Sequence, residues 1–276
     1  MNDHTDLKES IHLYTKKGSS NGVETIMLLE ELELPYYLCS VNHIEEIPDK
    51  RFDFADIHNY LPILTDFHPN GQRFRVQESG AIAQYLIARY DKGHKLSYPT
   101  SSSQHTEVNN WLFFLASRLG PNHREAAHFL KAPVEVSYGI SRFTNKTIQL
   151  YFATERHLQN SQMPYIVGNI CTIVDFLYFP YVAEAKSAGI DIDEFPALNS
   201  WYKNMLQRPA IAEFTFTSHV LLPKDLSENH MHVGLLGRLE LPSRRHSVVT
   251  EDVSGLCHMY TEYAVQAASS NFGNMP

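Results

Sequence analysis

From Gly93 to Gln104 the chain reads GHKLSYPTSSSQ, and the hydrophobic pattern differs on the two sides of this stretch. Before it, apolar runs are short. Ile11-His12-Leu13-Tyr14 and Tyr36 to Val41 have strand length and composition. Between them, apolar residues at 23, 26, 27, 28, 29 and 32 suit a helix buried on a broad face, which Leu34-Pro35 ends. Leu61 to Asp66 reads as a strand, and across an Asn70-Gly71 turn Ile63 to Asp66 and Arg73 to Gln77 read as an antiparallel hairpin. Ser79 is a natural N-cap for Gly80 to Tyr90, whose apolar positions 82, 85, 86 and 90 keep helical spacing. Residues 42–60 are irregular and polar, with a short helical pattern at Lys50 to Ile57. After Gln104 the patterns are long and helical, at 105–119, 123–131, 135–160, 173–188 and 197–207.

The order β-α-β-loop-β-β-α, then helices only, predicts an α/β unit with a small mixed sheet followed by an all-α domain. The expected boundaries are a flexible lead at 1–10, an α/β domain at 11–92, a linker at 93–104, a helical domain at 105–220 and a C-terminal extension at 221–276, partly ordered at best.

Composition narrows the function classes. A net charge of −8 argues against nucleic acid as a partner, which would favour a basic surplus. No run approaches the ~20 apolar residues of a membrane-spanning helix. The polar start MNDHTDLKES has no secretory pattern. Cys39, Cys171 and Cys257 are odd in number and form no CxxC pair, as for reduced thiols in the cytoplasm. Although the chain has 15 histidines, there is no HExxH, and His230-Met231-His232 is a lone pair in the extension, so no metal is expected.

Three local features carry chemistry. In KKGSSNGVETIMLL a small polar loop opens a helix whose unpaired N–H groups favour an anion. It is no phosphate loop: Gly22-Val23-Glu24 stands where Gly-Lys-Ser/Thr is needed, and Glu24, read as part of the first turn, repels phosphate. Ser19, Ser20 and Asn21 add donors suited to a soft anion such as a thiolate. Next, Leu61-Pro62 opens a strand after an irregular stretch, where a cis peptide bond would turn the backbone of Leu61 outward to pair with an extended peptide. Finally, Glu78-Ser79 at a helix N-terminus sets a carboxylate beside a hydroxyl, able to hold both charges of an amino-acid head group. Thiol, peptide backbone and amino-acid head group together describe glutathione.

With these features the chain resembles the cytosolic glutathione transferases, in the fungal and bacterial group that includes the yeast nitrogen-catabolite regulator of transferase fold. The stretches that carry the likeness are IHLYTKKGSSNGVETIMLLEELELPY, LPILTD, QESGAIAQYLIARYD, NNWLFFLASRLGPNHREAAHF, PYIVGNICTIVDFLYFPYV and FPALNSWYKNMLQRPAI, in family order from residue 11 to about 215. The resemblance implies a thioredoxin-like N-terminal domain and an all-helical C-terminal domain. It implies that Asn21, with Ser19 as the other candidate, faces the glutathione sulfur. Leu61 and Pro62 would hold the cysteinyl part, and Glu78 and Ser79 the γ-glutamyl part. The family's lysine before the cis-proline is missing, which leaves His43, Lys50 or His58 for the glycyl carboxylate. Asn122, His123 and Arg124 replace the family's usual Gly-Gln and would shape the site of a second, small hydrophobic electrophile. A homodimer through the 105–119 helix is implied as well.

Three functions stand open at this level. One is conjugation of glutathione to a specialised electrophile such as a fungal secondary metabolite, or the reversible addition that isomerises a conjugated double bond. Another is a non-catalytic binding or regulatory module. The third, thiol oxidoreduction, lacks a cysteine in the Ser19–Asn21 loop, while the resemblance leaves open a disulfide reduction that uses two glutathiones. Thr172-Ile173-Val174-Asp175 reads as a structural capping box, and Trp111 to Leu115 as a packing face.

Overall fold

The computed structural model describes residues 10–16, 19–41 and 60–212, and the backbone of two short strands at 230–234 and 250–252. These residues form two compact units.

The first unit is a sheet. Strands β1 (Ile11–Thr15) and β2 (Tyr36–Ser40) run parallel, and β3 (Ile63–Phe67) and β4 (Arg73–Gln77) form the hairpin. Strand β3 lies antiparallel to β1, with Leu13 opposite Leu64. All five residues of β1 are buried, as expected of a central strand that faces neighbours on both sides. Tyr14, Cys39, Val41 and Ile63 form one core cluster, against which Leu61 packs. The hairpin turns through Gly71, at φ 78°, where glycine avoids the strain of a side chain. The order β4-β3-β1-β2, mixed in direction, is the thioredoxin-like sheet that the sequence led us to expect.

The sheet does not stop at β2. Two strands of the presumed extension, β5 (His230–Gly234) and β6 (Thr250–Asp252), continue it, so the order is β4-β3-β1-β2-β5-β6. Strand β5 pairs antiparallel with β2, with Met231 opposite Cys39. The His230-Met231-His232 pattern is thus part of a strand that covers an otherwise open sheet edge. Its alternation over a few residues is too short to read as one from sequence.

The second unit is helical. It takes Val23 to Leu32, which is α1 (Ser20–Glu31) without its first three residues plus the residue after it, and the described chain from Ser79 to Ala212. Its helices are α2 (Ser79–Tyr90), α3 (Ser103–Phe114), α4 (Gly120–Lys131), α5 (Ser137–Ser161), α6 (Ile173–Ala183) and α7 (Pro196–Met205). The expected linker at 93–104 therefore lies inside this unit. It is tied down: Asp91 accepts from Lys95 N at 2.7 Å, Leu96 N at 2.9 Å and Ser97 Oγ at 2.7 Å. Tyr98 then donates to the Val167 carbonyl at 3.0 Å.

Gly120-Pro121 was expected to separate two helices. Instead α3 runs into α4 through a π-helical turn at Leu115–Leu119. Pro121 has no N–H for the carbonyl one α-turn back, and the wider turn absorbs that loss. No side chain fits at Gly120, where a Cβ would lie 2.9 Å from the Tyr181 hydroxyl and 3.1 Å from the Leu115 carbonyl.

Helix α6 is buried on every side, from Ile173 to Val182. Its first turn rests on the fully buried Asp175. One carboxylate oxygen accepts from Thr172 N at 2.8 Å and Thr172 Oγ1 at 3.1 Å. The other accepts from Ile166 N and Trp201 Nε1, each at 2.9 Å. The capping box is therefore one part of a larger hub that joins α6 to α7. A similar device starts α7, where Glu155 of α5 accepts from Ala197 N at 3.0 Å and Leu198 N at 2.8 Å.

Asp175→Ala leaves all four donors without their acceptor. It is expected to lower unfolding stability by about 3 kcal/mol or more, read by urea denaturation.

Candidate functional site

The β1–α1 connection is short. Ser19 N donates to the Lys16 carbonyl at 3.1 Å, and Ser20 begins the helix, so Asn21 sits half-buried in its first turn. A Cβ at residue 22 would overlap the Thr15 hydroxyl and lie 2.9 Å from the Thr15 Cβ. Gly22 is thus what lets the start of α1 rest on the end of β1. Its helix start exposes donors and a partial positive charge beside Ser19 and Asn21.

The Leu61–Pro62 peptide bond is cis, as expected, with Pro62 buried and Leu61 half-buried at the entry to β3. Lys50 and His58, and His43 with them, lie outside the described residues. At the end of β4, Glu78 is exposed and holds a left-handed φ of 70°. This conformation is uncommon for a side-chain-bearing residue and concentrates at ligand sites. Ser79 follows it as the first residue of α2, half-buried.

Glu24 departs from the sequence reading. Because α1 starts at Ser20, Glu24 falls in the second turn and not the first. It is 2% exposed, on the same side as the fully buried Met27 and Leu28. Its carboxyl is hydrogen-bonded to the Ser79 side chain and feels the charge of Arg124, while its Oε1 has no partner. Burial pushes its pKa up to about 8, against the smaller opposing pulls of the Ser79 bond and Arg124. Glu24 is therefore a mostly neutral acid at pH 7. The sequence signal was its spacing: three and four residues before Met27 and Leu28, it lies on the apolar face of α1.

The expected second-substrate residues divide. His123 is 3% exposed, its ring stacked on Tyr151 and edge-on to Tyr181 at 5.4 Å. Desolvation lowers its pKa to about 4, so it is neutral near pH 7, and its Nε2 has no partner. It belongs to the helical core. Arg124 is exposed in part and donates to the Tyr181 hydroxyl at 3.3 Å. Asn122 donates to the Arg118 carbonyl at 2.7 Å. Tyr181, which the sequence analysis did not single out, meets both Arg124 and the field of Glu24.

Two thiols are buried and free. Burial pushes Cys39 up to about 12 and Cys171 well above its ordinary value, so neither is an available nucleophile at neutral pH. Among the described residues no group of three or more His, Cys, Asp or Glu side chains is placed to hold a metal, and no helix is long and apolar enough to cross a membrane.

A mixed thioredoxin-like sheet with a cis-proline at β3, followed by a helical unit, is the architecture of a glutathione transferase. The family models for the glutathione S-transferase N-terminal and C-terminal domains match residues 13–94 and 133–217, and the chain belongs to this family. It is 27% identical over 207 residues to glutathione S-transferase-like protein tpcF of Aspergillus fumigatus, covering 71% of this chain and 90% of tpcF. It is 32% identical over 198 residues to disulfide-bond oxidoreductase YfcG of Escherichia coli, covering 70% of this chain and 89% of YfcG. Among solved structures, glutathione transferase URE2P6 of Phanerochaete chrysosporium, in complex with oxidized glutathione, superposes with a TM-score of 0.68 at 30% identity, covering 79% of this chain and all of that one.

The raised pKa of Glu24 carries a pH-dependent stability. The folded state holds this proton from the unfolded value of 4.5 up to about 8, so the contribution is complete below 4.5 and lost as pH rises through 8. Glu24→Gln, neutral throughout, is expected to be more stable than wild type near pH 7.5. The gap, on the order of 2–4 kcal/mol, should close toward pH 4.5 in parallel denaturant titrations.

Proposed function

We propose that this chain binds glutathione, holds it as a thiolate and adds it to a small hydrophobic electrophile of specialised, secondary-metabolite type. Glu78 and Ser79 take the γ-glutamyl head group, the backbone of Leu61 beside Pro62 pairs with the cysteinyl part, and Lys50 or His58 meets the glycyl carboxylate. The observation that carries this reading is Glu78, held at φ 70° immediately before the N-terminus of α2. It sets a carboxylate for an ammonium group beside helix donors for a carboxylate. The oxidized glutathione in complex with URE2P6 supports glutathione as the ligand.

The magnitudes define what Asn21 or Ser19 must do. A free thiol has a pKa near ~8.5. The helix start contributes about 0.3–1 kcal/mol, up to ~2 when partly buried, and one pKa unit is about 1.4 kcal/mol. The helix therefore lowers the thiol by roughly one unit or less, and a side-chain donor aimed at sulfur supplies the rest. Asn21 donates through its amide but is no base, so the thiol proton leaves to solvent. The electrophile's site is framed by the departures at Asn122 and Arg124, with His123 behind them as packing. The free, buried Cys39 and Cys171 support a cytoplasmic, glutathione-rich setting.

Asn21→Ala and Ser19→Ala separate the two candidates. Removing the residue that holds the thiolate is expected to raise the bound thiol by about one unit and lower kcat/KM near pH 7 about tenfold or more, while the other variant stays within about threefold. Stopped-flow thiolate absorbance and steady-state rates read both. Unchanged thiol titration and rates in both variants would reject the assignment. Product mass discriminates the chemistry: a glutathionyl adduct marks conjugation, and an unchanged mass with altered double-bond geometry marks reversible addition. Binding without turnover of any electrophile would instead mark a regulatory module.

The proposed assembly is a homodimer that uses α3, which exposes Phe113 at 66%. Phe113→Glu is expected to shift the mass measured by light scattering from two chains to one; a wild-type protein that is monomeric throughout would refute the dimer.

A further inference from the structure

Glu24 is a buried acid that neither thiolate formation nor head-group binding, as described so far, makes use of. Four observations bear on it. It is 2% exposed, and its Oε1 meets no hydrogen-bond partner. Its other contact is the Ser79 side chain, at the first residue of α2. Ser79 is half-buried, with Glu24 on its inner side. The groups that face Glu24 are Ser79 from α2, Arg124 from α4 and Tyr181 from α6. Of these only Arg124 carries charge near neutral pH, and its NH1 is bonded to the Tyr181 hydroxyl at 3.3 Å. Glu184, just past the end of α6, acts on Tyr181.

A serine hydroxyl has one proton to give. If the carboxyl of Glu24 is ionised, that proton is drawn inward and Ser79 offers no donor to an incoming carboxylate. The buried negative charge also repels it. If the carboxyl is protonated, it donates to Ser79 Oγ, and the Ser79 hydroxyl is released to donate outward at the N-terminus of α2. The two states of one buried group thus switch the polarity of the bond at the point where an anionic head group is expected to dock.

We infer that Glu24 is the positioning residue behind Ser79, and that in its neutral form it turns the Ser79 hydroxyl outward so that an α-carboxylate binds at the start of α2 together with one proton. The inference rests on the reading that this site takes the γ-glutamyl head group of glutathione. It assigns Glu24 a part in affinity and in pH response, and none in the chemistry at sulfur. Where Glu24 is ionised in the free protein, binding of the anion draws a proton from solvent onto the carboxyl, and release returns it.

The test uses S-methylglutathione, whose blocked thiol removes sulfur ionisation from the measurement, and the full chain as wild type and Glu24→Gln. Gln is neutral at all pH values and its amide donates to Ser79 Oγ as the protonated acid does. Calorimetric titrations near pH 7 and near pH 9, in buffers of different ionisation enthalpy, report affinity and proton uptake. Wild type is expected to bind about tenfold more weakly near pH 9 than near pH 7, beyond any change seen in Glu24→Gln. Near pH 9 it should take up close to one proton more per ligand than the variant, with the two proteins within about threefold of each other near pH 7. Equal pH slopes and equal proton uptake in the two proteins would overturn the role of Glu24 and leave the glutathione reading standing. A folded Glu24→Gln that no longer binds near pH 7 would overturn it as well. Absence of binding by wild type at both pH values would overturn the glutathione reading, and this inference with it. A purely structural Glu24 would change stability without changing proton uptake on binding.

Discussion

The helical unit depends on one buried carboxylate. Asp175 takes four donors from Ile166, Thr172 and Trp201, and so fixes where α6 begins and how it meets α7. With its start fixed, α6 carries Tyr181 to a set position two turns on. There the Tyr181 hydroxyl closes over Gly120, where a side chain would collide with it, and receives Arg124. Tyr181 and Arg124 in turn form part of the wall around Glu24, which backs Ser79. A chain of packed polar contacts therefore runs from the core hub to the first residue of α2, all within one unit.

Two acids in that unit are buried to the same degree and behave differently. Desolvation raises both pKa values, because a carboxylate loses far more hydration on burial than a neutral acid does. At Asp175 each oxygen has two donors, and the group acts as a structural acceptor. At Glu24 one oxygen has none, and the Ser79 hydroxyl and Arg124 do not restore what burial removes. The two sites differ in the number of donors within reach, not in burial. His123, equally buried and with one nitrogen unpartnered, stays neutral for the same reason.

Much of the fold was legible because it rests on local pattern. The hairpin around Asn70-Gly71, the helix at Ser79 and the Thr172–Asp175 box each carry their own turn or cap chemistry. What escaped was decided by partners distant in sequence. Gly93 to Gln104 has the composition of a linker, yet the carboxylate of Asp91 gathers the N–H groups of residues 95 and 96 and the hydroxyl of Ser97. Gly120-Pro121 looks like a break, yet a π turn absorbs the proline and Tyr181 fills the space at the glycine. His123 looked available for a substrate, and two tyrosines from other helices enclose it. The edge of β2 looked like the end of a sheet, and β5 reaches it from nearly two hundred residues further on. Glu24 is the instructive case: it was read as a first-turn charge that repels phosphate, and its spacing from Met27 and Leu28 already placed it on the buried face.

In the proposed complex the sulfur is assigned to the start of α1 and the head group to the start of α2. At the proposed sulfur site a thiol would be held by donors, since neither Ser19 nor Asn21 is itself a base. Thiolate formation of that kind is common to every reaction open to glutathione: displacement, addition, addition followed by elimination, or attack on a disulfide. Relatives named as a transferase-like protein and as a disulfide-bond oxidoreductase fit one such scaffold. What distinguishes them must then lie in what meets the thiolate and in how tightly, and at what pH, the tripeptide is held. If the proposed sites hold, a single acid behind Ser79 would change the second without touching the first, because it would act on the carboxylate end of the ligand and leave the sulfur to α1.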